Sequence, residues 1–430
     1  MATTETTVTI RMYNMGFGDA FRITASQGGR QWRMLVDCGV HSQGAARRLT
    51  ESVEAIVDDL TADSPAGGPK LDVVVATHHH ADHIAGFALA PWERVEVGEV
   101  WVPFVEDLDD PDAKRLRQAR TDTARRLQAL LDNRTRNVDP GTWPAEIVEA
   151  RWFAQNSHSL SNADAMDRLL TRNGKSFANQ PAVRYLPTRD GTGDLIGTGL
   201  SGVQAHVLGP PRDDANLKRM EPPANAGWLT LDSDLDIETD VDGDPPAKEP
   251  LFNPAFELSL AGAAAHQELI RNYRSLRLGK INNDVGLHAA AALLEQVVNN
   301  TSVFFVLDVH GTHFVFPGDS QQGAWDHVLN DEASRALVRD AAFYKIGHHG
   351  SHNGTPRRYI EGVLEGQTHA MLPWGLVERW KDTIPKTELL EAMRTRQHVV
   401  TRADAPVAQP GKVVVHEDLW SEVTFTVPVA

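Results

Sequence analysis

Hydrophobic and polar positions divide the chain into blocks of two kinds. Near the start, short runs with apolar residues two apart or in unbroken blocks read as strands: Val8 to Tyr13, Phe21 to Thr24 and Trp32 to Val36. A helix is predicted over Gln43 to Leu60. The Gly- and Pro-rich loop Ser64 to Pro69 then interrupts the chain before Asp72-Val73-Val74-Val75-Ala76, which reads as a buried strand. From about Pro91 the pattern changes. Asp112 to Asn133 is rich in good helix formers, and Asn162 to Leu170 reads as another helix. Residues 91–188 are therefore expected to be a largely helical insertion beside the core.

Strand pattern returns at Ser201 to Gly209 and is interrupted again over 212–298 by an acidic loop and an Ala- and Leu-rich helical stretch, Phe256 to Val298. The aspartates of the acidic loop do not make a calcium site, because Asp232-x-Asp234-x-Asp236 lacks the glycine an EF-hand loop needs at its sixth position. Ser302 to Val309 and His313 to Phe316 form a predicted hairpin, with His310 and His313 near its tip. Ala341 to Ile346 and His369 to Pro373 are strands, and Lys386 to Arg396 is a helix. The expectation is one layered α/β domain over residues 1–430 with two insertions.

Composition narrows the function. The chain has 430 residues, 41% hydrophobic and 23% charged, as in ordinary globular proteins. No apolar run approaches the ~18 residues of a membrane helix, and Met1 to Thr7 lacks the layout of a signal peptide. One cysteine, Cys38, excludes an intrachain disulfide and fits a reducing compartment, so a cytoplasmic location is expected. A formal charge of −16 argues against indiscriminate binding of long nucleic acid. A small or oligomeric anionic substrate stays compatible, because bound divalent cations reverse the local field. The sequence names no protein partner.

The chemistry gathers where predicted strands end. Thr77-His78-His79-His80-Ala81-Asp82-His83 follows a valine-rich strand and holds four of the eighteen histidines. Read as H-x-H-x-D-H, it sets His78 and His80 on one side and Asp82 and His83 on another. These ligands suit zinc, iron or manganese, in a place able to hold two ions. Asp319 follows another strand and a glycine, and is read as a carboxylate bridging two cations. In the antiparallel hairpin the start of the first strand lies beside the end of the second, so Asn299 and Ser302 should lie near Asp319. A third strand end carries Gly347-His348-His349-Gly350-Ser351. One of these histidines can ligate metal, and the other can hydrogen-bond substrate or donate a proton.

These pieces, in this order, resemble the metallo-β-lactamase superfamily, and within it the soluble hydrolase domain of competence-protein ComEC type. Met15 to Ala20 matches the glycine-aspartate turn and Leu35 to Gly39 the "DxG" strand end. His78 to His83 gives H-x-H-x-D-H, Asn299 to Ser302 the Asn-x-x-Ser start of a strand, Phe316 to Asp319 the "GD" turn, and Lys345 to Ser351 "HHGS". The resemblance implies an αββα sandwich and a dinuclear centre of two divalent ions, zinc first, manganese or iron as alternatives. His78 and His80 would hold the first ion, Asp82 and His83 the second, with Asp319 bridging. His348, first after its strand, would complete the second site. Asp19 and Asp37 would support the ligands from behind. Many superfamily members give the first ion another histidine where this chain has Asn299 and Ser302, a feature shared with the ComEC-type members.

The reaction expected is hydrolysis of a phosphoester, foremost a phosphodiester, by a metal-activated water. Asp82 takes part in the chemistry, His349 or His352 serves as proton donor, and Ser351, Asn299 and Ser302 contact substrate oxygens. Hydrolysis of a lactam, lactone or thioester is the alternative on the same centre. A non-catalytic metal-binding module ranks lower, because closed structural zinc sites usually carry four protein ligands, often cysteines. A di-iron redox centre ranks lower again, since the chain shows no flavin domain or cysteine-rich iron site.

Overall fold

Alternating burial along the first strand shows how the fold is built. In β1 (Glu5–Tyr13), Val8, Ile10 and Met12 are buried while the residues between them are partly exposed. The same period runs through β8 (Val203–Gly209). Each sheet turns one apolar face to the other. The computed structural model describes residues 5–41, 43–64, 67–118, 131, 132, 160–219, 222, 228, 298–381 and 383–429. The chain separates into two compact units. Residues 1–120, 158–228 and 296–430 form the first, which carries every element described below. Residues 121–157 and 229–295 form the second and lie almost wholly outside the described residues, as do the acidic loop and most of the 256–298 stretch.

The first unit is an αββα sandwich of two mixed sheets. One has eight strands in the order β14 (Val413–His416), β15 (Trp420–Pro428), β1, β2 (Phe21–Gln27), β3 (Arg30–Val36), β4 (Lys70–Val75), β5 (Glu96–Pro103) and β6 (Ala182–Leu186); the other has seven in the order β13 (Val399–Arg402), β12 (His369–Leu372), β11 (Ala341–Lys345), β10 (Thr312–Phe316), β9 (Phe304–Val309), β8 and β7 (Leu195–Gly197). Val36 at the end of β3 (Arg30–Val36) lies beside Val75 at the end of its parallel neighbour β4 (Lys70–Val75). In the second sheet, β10 (Thr312–Phe316) runs parallel to β11 (Ala341–Lys345) and antiparallel to β9 (Phe304–Val309). The core between the sheets draws on both, with Ile10, Met34 and Val75 from one and Phe305, Phe314 and Phe343 from the other. Helix α1 (Leu49–Ala62) covers the outer face of the first sheet with Val53, Ile56, Val57 and Leu60, one helical stripe.

Two strands fall inside the stretch read as a helical insertion. β5 (Glu96–Pro103) and β6 (Ala182–Leu186) extend the first sheet in parallel from β4. Glutamates and a glycine break the apolar run of β5 and mask it as a strand. Gly98 has a steric reason: a Cβ there would sit 2.6 Å from the Asp72 carbonyl of β4. Helix α2 (Ala81–Ile84) is a single turn within the histidine run, and residues 111–118 and 160–169 are helical. Among the described residues no helix is long and apolar enough to cross a membrane.

Candidate metal centre

The paired ends of β3 and β4 create the first half of the site. Asp37 follows β3 in the left-handed region (φ 59°), which aspartate tolerates better than most residues. Its buried carboxylate accepts from Thr77 N (2.7 Å), Thr77 Oγ1 (2.7 Å) and His83 Nδ1 (2.8 Å). An ionised carboxylate can only accept, so His83 carries its proton on Nδ1. Its Nε2 faces Asp319 Oδ2 at 3.1 Å. Because Thr77 gives its hydroxyl proton to Asp37, Thr77 Oγ1 accepts from His78 Nδ1 (3.1 Å). His78 Nε2 then faces His80 Nδ1, also at 3.1 Å. One aspartate thereby orients two imidazoles.

Backbone packing fixes the loop that presents them. Asp19 N donates to Asp82 O (2.9 Å), Cys38 N to His83 O (2.7 Å) and Gly39 N to Asp19 O (3.0 Å). The three segments interlock because Gly18 and Gly39 leave room. A Cβ on Gly39 would press into the backbone of Ala81, Asp82 and His83.

The second sheet supplies the other half. Asp319 N donates to Ser302 Oγ (3.1 Å), and His78 Nδ1 lies 3.2 Å from the same oxygen. The hairpin thus does bring Ser302 to Asp319. His310 sits at the opposite end, its Nε2 3.1 Å from Thr6 Oγ1. After β11, His348 and His349 both take left-handed backbone angles (φ 48° and 50°). Their side chains diverge as a result. His349 Nδ1 donates to Pro373 O (2.8 Å) and its Nε2 lies 3.1 Å from Asp82 Oδ2. His348 Nδ1 instead donates to Ser351 Oγ (2.7 Å), whose own proton goes to Asn353 Oδ1 (2.9 Å). His348 Nε2 accepts from Asn299 Nδ2 at 3.2 Å.

The group that closes is therefore Asp82, His83, Asp319 and His349, whose ligand atoms all lie within 4.8 Å of one another. Two imidazole nitrogens and two carboxylate oxygens at this spacing are donors that zinc, manganese or iron accepts, so these residues fit a divalent cation. Of the two histidines it is His349, not the expected His348, that joins this group. Successive left-handed residues point apart, and the second is the one that reaches Asp82. His352 lies outside the group, partly exposed beyond Ser351. His79, the third histidine of the run, turns away to Glu106 (2.8 Å).

Electrostatics separate the two histidine sets. Burial pushes His78 well below the usual imidazole range and His80 down to about 3, with other histidines adding to the effect on His78. Both stand as neutral donors. Burial works the same way on His83 and His349, but the surrounding carboxylates outweigh it and hold both above their ordinary value. Burial raises the carboxyls of Asp82 and Asp319, yet the neighbouring cationic groups, His83 first, hold both well below the carboxylate range.

One participant was not assigned from the sequence. Lys345, the last residue of β11, is 2% exposed. Its ammonium lies 2.5 Å from Asp19 Oδ2 and 2.9 Å from Asp319 Oδ1, and donates to Gly318 O at 2.9 Å. The available signal was a charged residue closing an otherwise apolar strand next to a histidine pair.

Residues 28–93 match the model of the metallo-beta-lactamase superfamily. The match runs from just before β3 past the His78–His83 run, and it supports that superfamily. Match and cluster together fit a metal-dependent hydrolase. No curated protein matches the chain.

Proposed function

We propose that the protein is a metal-dependent phosphoesterase, acting foremost on a phosphodiester, with two divalent cations of which zinc is the first choice. The observation that carries this reading is the Asp82, His83, Asp319 and His349 cluster, with the facing His78 and His80 nitrogens beside it. In this reading His78 and His80 hold one ion, Asp82, His83 and His349 hold the other, and Asp319 serves both. Bound there, such a pair supplies an activated water and offsets charge on the attacked group.

The chain's own residues do the rest. Asp37 keeps His83 in the tautomer that leaves Nε2 free to ligate. His348, outside the cluster, donates from Nδ1 to Ser351 and accepts from Asn299 at Nε2, so it orients Asn299 beside the centre. Asn299 Oδ1 is buried and accepts no hydrogen bond from the described residues, which suits it to a substrate donor. Ser351 orders His348 rather than reaching outward. The ComEC-type likeness ranks phosphodiesters above lactams, lactones and thioesters, and the chain's charge of −16 favours a short anionic substrate over long nucleic acid.

The test is metal content and bis-p-nitrophenyl phosphate turnover on one sample purified without added metal. About two metals per chain with turnover is the expected result. Asp82→Ala and Asp319→Ala should each lower turnover by about 10²-fold or more. Turnover that survives both changes with metal still bound would sink the mechanism. Metal binding with turnover of a lactone or thioester, and none of the phosphodiester, would move the substrate class.

A further inference from the structure

Lys345 has no part in the reading above, yet it is built into the site more tightly than most of its ligands. Its ammonium donates to Asp319 Oδ1 and Gly318 O and forms an ion pair with Asp19 Oδ2. Asp319 Oδ1 also accepts from His348 N at 2.9 Å. With two donors on Oδ1, the oxygen that Asp319 turns toward His83 and His349 is Oδ2, at 3.1 and 3.9 Å. Asp19 stands just behind the same histidines. Its oxygens lie 3.7 Å from His83 Nδ1 and from His349 Nδ1, and accept no well-directed hydrogen bond from the described residues. A buried carboxylate so placed faces the Nδ1 side of both rings, away from the Nε2 atoms that meet Asp82 and Asp319, and needs a cation to offset its charge.

We propose that Lys345 is the positioning residue of the metal centre: it restricts Asp319 to a single metal-facing oxygen and holds Asp19 in place behind the histidines. The lysine is a fixed charge that the fold brings to the centre from β11, at the junction of two carboxylates with opposite duties. Asp319 is left half-engaged and available. Asp19 is held behind the histidines by the ammonium on its Oδ2. Without the ammonium, Asp319 is free to chelate through both oxygens, so the coordination number rises.

The inference rests on the metal-binding part of the reading above and not on its substrate. The probe is Co²⁺, titrated into wild-type protein and Lys345→Met while visible absorption and bound metal are measured. Wild type should show the stronger ligand-field absorption of a low-coordinate ion. Lys345→Met should show weaker, shifted bands and an affinity displaced at least tenfold, with stoichiometry retained. The double variant Asp19→Asn/Lys345→Met removes the cation together with its partner, so it remains testable if the single change prevents folding. It should lose the wild-type spectrum too, since Asp319 is released in both. A folded variant with the wild-type spectrum and an affinity within twofold overturns the proposal, as does wild-type protein that binds no Co²⁺. Because binding is read rather than turnover, the proposal can fail while the phosphodiesterase reading stands, and the reverse.

Discussion

At the scale of single residues, Asp37 decides more than any ligand. It accepts three hydrogen bonds, two from Thr77 and one from His83, and through Thr77 it also sets the proton on His78. Asp37→Asn keeps the size of the side chain and its tolerance of φ 59°. It also turns an amide NH₂ toward groups that are themselves donors. The expected result is a loss of about 10- to 100-fold in metal affinity, measured by competition with a chromophoric chelator. Unfolding in denaturant should show about 1–3 kcal/mol of lost stability for the unmatched buried donor. Unchanged metal affinity would mean that Asp37 does not orient His83. The histidine run stood out as a candidate because its spacing is local. The choice between His348 and His349 was not legible, because it turns on two consecutive left-handed φ values. Lys345 was hidden for a different reason: a lone lysine in sequence gives no sign that its strand ends between two buried carboxylates.

At the scale of elements, the site depends on segments that pack backbone against backbone. Gly39 lies against the turn Ala81–His83 with no room for a methyl group, whereas Gly29, at a hairpin turn, meets nothing within 4 Å. Gly39→Ala must therefore move α2 and the ligands it carries, at a cost of about 2–3 kcal/mol or more. Gly29 has φ 78°, so alanine there costs strain alone, about 1 kcal/mol. Thermal unfolding of the two variants, with metal content measured on each, separates these effects. Gly39→Ala should lose bound metal, and Gly29→Ala should keep it. Equal losses in both would argue against a tight junction at Gly39. The same logic shows why strands β1 to β4 could be read from the sequence while β5 and β6 were missed. The first four carry uninterrupted or alternating apolar residues. β5 carries Gly98 to let β4 approach, and Glu99, which pairs with Arg184 of β6 at 2.8 Å. Both features look like loop or helix until the neighbouring strand is known.

At the scale of the molecule, the candidate ligands come from two sheets. Asp82 and His83 follow β4 of the first, while Asp319 and His349 follow β10 and β11 of the second. The sheets share an apolar core, but at this end they meet through charge: Asp319 with His83, Asp82 with His349, Asp19 with Lys345. An ion held by all four ligands ties the two sheets together in the folded state and finds no such site in the unfolded chain. Binding must then stabilise the fold by mass action, about 4 kcal/mol at a thousandfold excess over the dissociation constant. Adding Zn²⁺ or Mn²⁺ to chelator-treated protein should raise its denaturation midpoint. His83→Ala, which removes a ligand of the first sheet, and Asp319→Ala, which removes one of the second, should each abolish most of that rise. If His83→Ala abolishes it and Asp319→Ala leaves it intact, the ion is held by the first sheet alone. The centre would then be a loop site, and the layered fold would no longer be the reason these ligands converge.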